Sequence, residues 1–282
     1  MEDQYPGDNQ TFYQGTLGAP KNFRGNALVG FVDLLGFSNR LIEFWEDSEV
    51  DPVAELLNVK NSVGYMGNST AISEPVKPAV TYNSYRTMLS DALIISVALP
   101  SEETARLHDA RAAFGCLVLH LQEVVGKCLR LGFATRGGIG YGGACWGPRV
   151  FTGPALVQAY RLESKVAKSA RIVLGGEVVR LLEGNRRHIE TVIQDDATWK
   201  FLPPWWSLTY LGVDRHLSII PVSKESKELA EIVEGMCQRH LLQPQYLSKY
   251  RELQIGMRYP GKSNVTEKEV LVIAQLLLGR LT

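Results

Sequence analysis

Residues Asn26-Ala-Leu-Val-Gly-Phe-Val-Asp-Leu-Leu-Gly-Phe-Ser38 and Met88-Leu-Ser-Asp-Ala-Leu-Ile-Ile-Ser-Val97 each place one aspartate, Asp33 or Asp91, where an apolar run of strand character meets a turn. A strand buried on both faces is normally built from Val, Ile, Leu and Phe. An ionised carboxylate at its edge costs free energy unless a cation or a donor offsets it. Two such carboxylates brought together are hard oxygen ligands of the kind Mg²⁺ or Mn²⁺ takes while it also holds nucleotide phosphates. A lone Asp after a strand is more often a turn former or a helix cap. The near-repetition of the context, and the stretch that follows, favour a metal site.

That stretch is Arg136-Gly-Gly-Ile-Gly-Tyr-Gly-Gly-Ala-Cys-Trp146, continued by Gly153-Pro-Ala-Leu-Val-Gln-Ala-Tyr-Arg-Leu-Glu163. Five glycines fall within eight residues. Glycine at such density serves positive φ or a close approach of the backbone to a ligand or another chain. The run has neither the lysine of a Walker loop nor the spacing of a dinucleotide-binding loop. Gly153-Pro154 then opens a helix, with proline in the first turn where its missing N–H is harmless, and Ala155, Val157, Tyr160 and Arg161 follow at near-helical spacing.

The three stretches together resemble the class III nucleotidyl cyclases, whose motifs F-x-D-x-x-G-F, a second aspartate opening a hairpin, and G-x-x-V-N-x-A-x-R-L correspond to Phe31–Phe37, Ser90-Asp91 and Gly153–Leu162. Within that group the sequence is most similar to the bacterial pyrimidine cyclases of Pycsar antiphage systems, which share its size and the R-G-G-I-x-x-G run. The likeness spans residues 24–222 and implies an α+β fold, a ferredoxin-like βαββαβ catalytic core. By the same resemblance Asp33, Asp91 and the backbone carbonyl of Leu34 would hold two divalent ions, Mg²⁺ or Mn²⁺. Arg161 would meet the triphosphate, a task suited to a planar, permanently charged guanidinium. The structural alternative for Arg161 is a surface arginine paired with Glu163 or another acid.

The resemblance also implies substrate contacts at Phe37, Thr87, Arg149, Val150 and Val157. Val157 departs from the pattern, since the family has an asparagine there that orients a ribose oxygen; Gln158 is a neighbouring substitute. Thr87 and Val150 stand where adenylyl cyclases carry a lysine and an acid that read adenine. A pocket without that hydrogen-bonding code disfavours ATP. Arg149, Phe151, Tyr82 and Tyr85 are bulky or hydrogen-bonding groups that could fit a smaller base. Uracil presents an acceptor, O4, where cytosine presents an amino donor, so a donor from Thr87, Arg149 or a tyrosine hydroxyl favours UTP over CTP. The implied product is cyclic UMP, a messenger for a separate effector protein in antiphage defence. The implied assembly is a homodimer with shared sites, in which the bare backbone from Gly137 to Gly143 would suit close subunit contact. CTP is the alternative substrate. A noncatalytic nucleotide sensor is suggested by Val157, and an RNA-binding module by the ferredoxin-like topology. The last would want stacking aromatics and basic charge on the central strands, where Asp33 and Asp91 stand instead.

Composition agrees with an enzyme of this kind. The 282 residues, 45% hydrophobic, suffice for a packed core. Thirty basic against thirty acidic residues leave no net charge, which argues against a partner bound by phosphate neutralisation, whether nucleic acid or anionic membrane. No apolar run reaches the ~20 residues of a spanning helix and no signal-peptide core is evident, so a cytoplasmic protein is expected. Cys116, Cys128, Cys145 and Cys237 form no C-x-x-C pair and are expected as reduced thiols. The histidines lack metal-site companions; His216, beside Arg215, lies where the family has a phosphate-contacting lysine.

The order of elements predicts the same core. Leu28–Asp33 reads as a strand, Ser38–Trp45 as a helix, Thr87–Leu99 as a hairpin, and a long helix is predicted from Ser101, capped and with Glu102 and Glu103 at its positive end. Leu107, Phe114, Leu117, Val118, Leu121, Val124, Val125 and Leu129 keep its apolar stripe. The glycine-rich strand, the Gly153 helix, a strand at Arg171–Leu174 and a helix at Glu177–Leu182 complete the core, with Phe201–Leu211 and Leu217–Val222 extending the sheet. Residues 1–23 read as a flexible leader and 61–83 as a long loop. Residues 223–282 read as a C-terminal helical appendage that docks on the core or on a dimer partner, with helices predicted at Lys224–Leu242, Pro244–Leu253 and Val270–Leu281.

Overall fold

The structure, a computed structural model, describes residues 13–15, 22–47, 49–63, 69–71, 83–99, 107–147, 149–183, 209–211, 214, 216–219, 227–239, 247 and 250. In chain order the elements begin with β1 (Tyr13–Gly15), β2 (Phe23–Leu34), α1 (Phe37–Glu43), α2 (Pro52–Val63), β3 (Ser69–Ala71), β4 (Ser84–Leu89), β5 (Ala92–Ala98) and α3 (Leu107–Arg130). They continue with β6 (Thr135–Gly147), β7 (Val150–Thr152), α4 (Pro154–Lys165), β8 (Ile172–Leu174), α5 (Gly176–Glu183), β9 (Thr209–Leu211), β10 (Leu217–Ile219) and α6 (Lys227–Arg239).

The described strands join one sheet in the order β1-β3-β4-β5-β2-β6-β8-β10-β9, with β7 paired to β6 beside this path. Its centre, β4-β5-β2-β6, is the ferredoxin-like arrangement: the first core strand lies inside, antiparallel to both β5 and β6, and the β4–β5 hairpin flanks it. β8 then adds parallel to β6, and β10 and β9 extend that side.

β2 shows why its sequence is a nearly unbroken apolar run. Leu28, Val32 and Leu34 join Leu93, Ile95 and Ile139 against Phe114, Leu117 and Leu121 of α3. The alternate residues Ala27 and Val29 join Ile94 and Trp146 against Ala155 and Ala159 of α4. A strand covered by helices on both faces has no solvent side to mark with polar residues. The long apolar stripe of α3 is thus used as core, as its period predicts.

The glycine run fixes the distance between α4 and the sheet. A Cβ on Gly138 would stand 2.5 Å from the Ala159 carbonyl oxygen, and one on Gly140 2.3 Å from that of Ala155. Only glycine lets the helix backbone lie directly on the strand here. Gly137 is crowded instead by β2, with the Phe31 carbonyl oxygen 2.5 Å from its would-be Cβ. These three glycines therefore serve packing within one chain.

On the α3 face, the buried Arg86 ties three elements together. Its guanidinium donates to the Val63 carbonyl at 2.8 Å and to Glu123 Oε2 at 3.0 Å, and lies 3.0 Å from His120 Nδ1. Burial, with Arg86 beside it, pushes His120 down to about 4. The neutral ring can then accept at Nδ1. Arg86 is buried and Glu123 only half-buried, so loss of the acid would leave a buried charge with fewer partners while solvent screens part of the pair.

Several elements differ from the sequence reading. Helix α2 was not anticipated, although Asp51 caps it by accepting from Val53 N and Ala54 N at 2.9 and 3.0 Å, with Pro52 following. Part of the expected leader forms β1, which pairs with β3 from the expected 61–83 loop, Tyr13 opposite Ala71. α6 docks on α3 through Leu229, Val233, Met236 and Cys237, with Arg130 paired to Glu228. The start of the long helix at Ser101 and the helix predicted at 270–281 lie outside the described residues; of the helix predicted at 244–253, Leu247 and Tyr250 are described, both helical and packed against the core. All four cysteines are free. Among the described residues no helix is long and apolar enough to cross a membrane.

Gly140→Ala should lower stability by roughly 2–3 kcal/mol or prevent folding, because its methyl group would collide with rigid helix backbone. Gly115→Ala, within α3 and with open space around its would-be Cβ, should instead raise stability by about 0.5–1 kcal/mol. Urea unfolding midpoints check both signs; equal effects would contradict the packing described.

Candidate active site

Asp33 is the next-to-last residue of β2, opposite Ala92 on β5 and Arg136 on β6. Strand alternation puts it on the α4 face with Val29 and Phe31. Asp91 occupies the two-residue turn between β4 and β5, after Ser90, whose φ of 55° is the one positive value at a non-glycine residue among those described. The Asp91 carbonyl accepts from Leu34 N at 3.3 Å, tying the hairpin tip to the end of β2. Two aspartates 58 positions apart in sequence thereby sit at neighbouring strand ends.

Arg136 reaches across from β6. Its Nε and Nη2 donate to Asp33 Oδ2 at 3.4 and 3.3 Å. Nε also lies 2.8 Å from Oε1 of Glu163 on α4. That oxygen is buried and accepts no hydrogen bond among the described residues, so the contact is one of charge rather than aligned donation. Burial first, then repulsion from Asp91 and Glu163, pushes Asp33 up to about 7 against the pull of Arg136. Glu163 is also raised, chiefly by burial, with Arg136 opposing. Sequence reasoning had offered Glu163 only as a partner for Arg161. Residues two apart on a helix point to different sides, and that spacing alone could have redirected Glu163 to the sheet.

Farther along the same face lies a cavity of about 550 Å³. Thr87, Arg149, Val150 and Val157, all selected from sequence as substrate contacts, line it together with Tyr85 and Phe151. Tyr85 and Phe151 form part of an aromatic layer, their rings 5.8 Å apart and inclined by 17°, with Trp146 beneath stacked on Phe23 at 3.8 Å. Phe37 does not reach this cavity. It is buried in the core against α3, edge-on to Phe133 at 5.9 Å, because α1 turns that side chain under the sheet end. Arg161 is exposed on α4, has no partner among the described residues and does not line the cavity. His216 is held by Asp214, its Nδ1 3.4 Å from Oδ2, and Asp214 in turn pairs with Arg171. Tyr82 and Arg215 lie outside the described residues.

The donor set suits a divalent cation. Asp33 and Asp91 offer hard oxygens at adjoining strand ends, the Leu34 carbonyl follows Asp33 at the end of β2, and the three interacting carboxylates outnumber the single arginine in contact with them. Among the described residues no three His, Cys, Asp or Glu side chains converge as a closed metal cage. The remaining ligands would be water and substrate oxygens, as Mg²⁺ prefers.

The sequence matches no protein-family model and no curated protein. Among solved structures the chain is similar to the adenylyl cyclase CyaB from P. aeruginosa, at 18% identity and a TM-score of 0.37 over 58% of this chain and 83% of that one. A class III adenylyl cyclase-like ATP-binding protein from Pseudomonas aeruginosa gives 12% identity and a TM-score of 0.38 over 57% of this chain. This chain spans 35% of that protein's length. The α+β assignment rests on the strand order and register above.

The raised Asp33 has a consequence for stability. Between about pH 4 and 7 the folded chain holds a proton that the unfolded chain has released, so the benefit is present below that window and lost as pH rises through it. In the presence of EDTA, Asp33→Asn should therefore stabilise the protein at pH 8 by roughly 1–3 kcal/mol and change little at pH 4. Urea titrations at the two pH values test this; a variant less stable than wild type at pH 8 would refute it.

Proposed function

We propose that the chain is a nucleotidyl cyclase of the class III type that converts UTP to 3′,5′-cyclic UMP and pyrophosphate. The observation that carries this reading is that one face of the sheet holds both the Asp33–Asp91 pair and a cavity of about 550 Å³, large enough for a nucleotide, lined by Thr87, Arg149, Val150 and Val157. The ribose 3′-oxygen would attack the α-phosphorus, the bond to the β-phosphate oxygen would break, and pyrophosphate would leave with the charge of the broken bond. The two divalent ions, Mg²⁺ or Mn²⁺, would supply an acidified 3′-hydroxyl and neutralised phosphate charge. Asp33, Asp91 and the Leu34 carbonyl would hold them. Arg161 would pair with phosphate oxygens as their charge shifts.

Two features support a homodimer with shared sites. Leu89, Val150, Val157 and Tyr160 leave an exposed apolar rim around the cavity, between 47% and 67% accessible, which a second copy would cover. Arg161, exposed and outside that cavity, is free to reach a partner's aspartates. For the base, Arg149 can only donate, and uracil O4 can accept where the cytosine amino group cannot. Thr87 can do either. Val157 in the wall supports the noncatalytic sensor as the second reading, because it cannot orient a ribose oxygen. We further propose a cytoplasmic role in which cyclic UMP acts on a separate effector in antiphage defence.

Purified protein with Mn²⁺ and an equimolar mixture of the four nucleoside triphosphates should yield mainly cyclic UMP by chromatography. Predominant cyclic CMP would reverse the base assignment, and predominant cyclic AMP would overturn the pyrimidine reading. Asp33→Ala and Asp91→Ala should abolish turnover, and Arg161→Ala should lower kcat by about 10²- to 10³-fold. An equal mixture of Asp33→Ala and Arg161→Ala chains should recover about a quarter of wild-type activity, since half the dimers then carry one intact site of two. No recovery from a proven mixed dimer would exclude the shared site.

A further inference from the structure

Arg136 stands directly opposite Asp33 across the β2–β6 ladder, and its two carboxylate partners hold it unequally. The contacts to Asp33 Oδ2, 3.3 and 3.4 Å, are at the long end of the hydrogen-bonding range. The approach to Glu163 is 2.8 Å. Glu163 is 5% exposed and cannot move away, because it is fixed on α4 and α4 is seated on Gly138 and Gly140 at backbone distance. Asp33 lies at the strand end and shares the guanidinium's Nε with Glu163, with Nη2 as its second donor. One cation is thus shared between a fixed buried acid and an acid at the candidate metal site.

We propose that Arg136 is a positioning residue for Asp33, occupying its carboxylate in the metal-free chain and shifting onto Glu163 when a divalent cation takes Asp33. This rests on reading Asp33 as a metal ligand. The exchange is balanced: one cation replaces another at Oδ2, and the buried Glu163 keeps Arg136, so neither charge is left alone in the interior. Glu163 serves as the resting place that makes release of Asp33 possible. The two residues therefore act on metal affinity in opposite directions, Arg136 as a competitor and Glu163 as the group that draws the competitor off.

The test is titration of the full chain with MnCl₂, following free Mn²⁺ by electron paramagnetic resonance, for wild type, D33N, R136Q, E163Q and the R136Q/E163Q double variant. R136Q should bind Mn²⁺ roughly threefold or more tightly than wild type, and E163Q should bind it weaker by a similar factor. In the R136Q background, E163Q should change affinity by less than about twofold, because Glu163 acts through Arg136. A simple charge effect of Glu163 on the metal would persist in that background and would overturn the proposal, as would R136Q binding no tighter than wild type. In either case loss of Mn²⁺ binding in D33N would leave the metal assignment standing. Wild-type binding undiminished in D33N would remove the metal assignment and the proposal together. If R136Q does not fold, R136K serves: it keeps the charge without the two-armed reach and should also bind tighter than wild type, and an unchanged affinity overturns the proposal.

Discussion

Helix α4 can lie on the sheet only because β6 offers no side chain beneath it at Gly138 and Gly140. That absence sets the geometry of everything on this face. It brings Glu163 within ion-pairing distance of Arg136, places Val157 and Tyr160 as one wall of the cavity, and turns Arg161 outward. A methyl group at either glycine would have to lift the helix, because the opposing atoms are backbone or Cβ and cannot swing aside. The glycine run is therefore a packing device first, and whatever chemistry this face performs is built on that contact.

The second organising fact is electrostatic. Asp33, Asp91 and Glu163 interact across the ends of β2, β5 and α4, and one guanidinium is in contact with two of them. Burial strengthens every one of these interactions and penalises each charge left unmatched. The result is a carboxylate whose proton affinity has risen close to neutrality and a site that gains from a further cation. The α3 face shows the opposite solution. There Arg86 is matched by Glu123, a carbonyl and a neutral His120, so the buried charge stabilises the joint between β4, α2 and α3.

The two faces of the sheet divide the work between them. Long aliphatic side chains and α3 fill one side completely. The other is built from alanines and glycines near α4 and from an aromatic layer of Phe23, Trp146, Tyr85 and Phe151 near the start of β2 and β7. Small residues bring α4 close at one end, while the rings and the β7 segment prop the surface open at the other. The cavity is the space between these two regimes.

The sequence by itself determined the core topology, because hydrophobic period and glycine-proline punctuation are local signals: the β2 run, the Ser90-Asp91 turn, the α3 stripe and the Gly153-Pro154 helix start all stand where they were expected. The resemblance singled out Thr87, Arg149, Val150 and Val157, four residues that line one cavity. Tertiary structure alone decided what depends on pairing between distant segments. The β1–β3 pair joins two polar stretches whose composition reads as loop, since the pairing is made between backbones of segments far apart in sequence and leaves no local pattern to read. Phe37 fits a motif yet turns into the α3-side core. Glu163, two residues from Arg161 in sequence, belongs to Arg136 because helix geometry points it at the sheet, and the close seat of α4 that makes the contact possible comes from glycines on a different element.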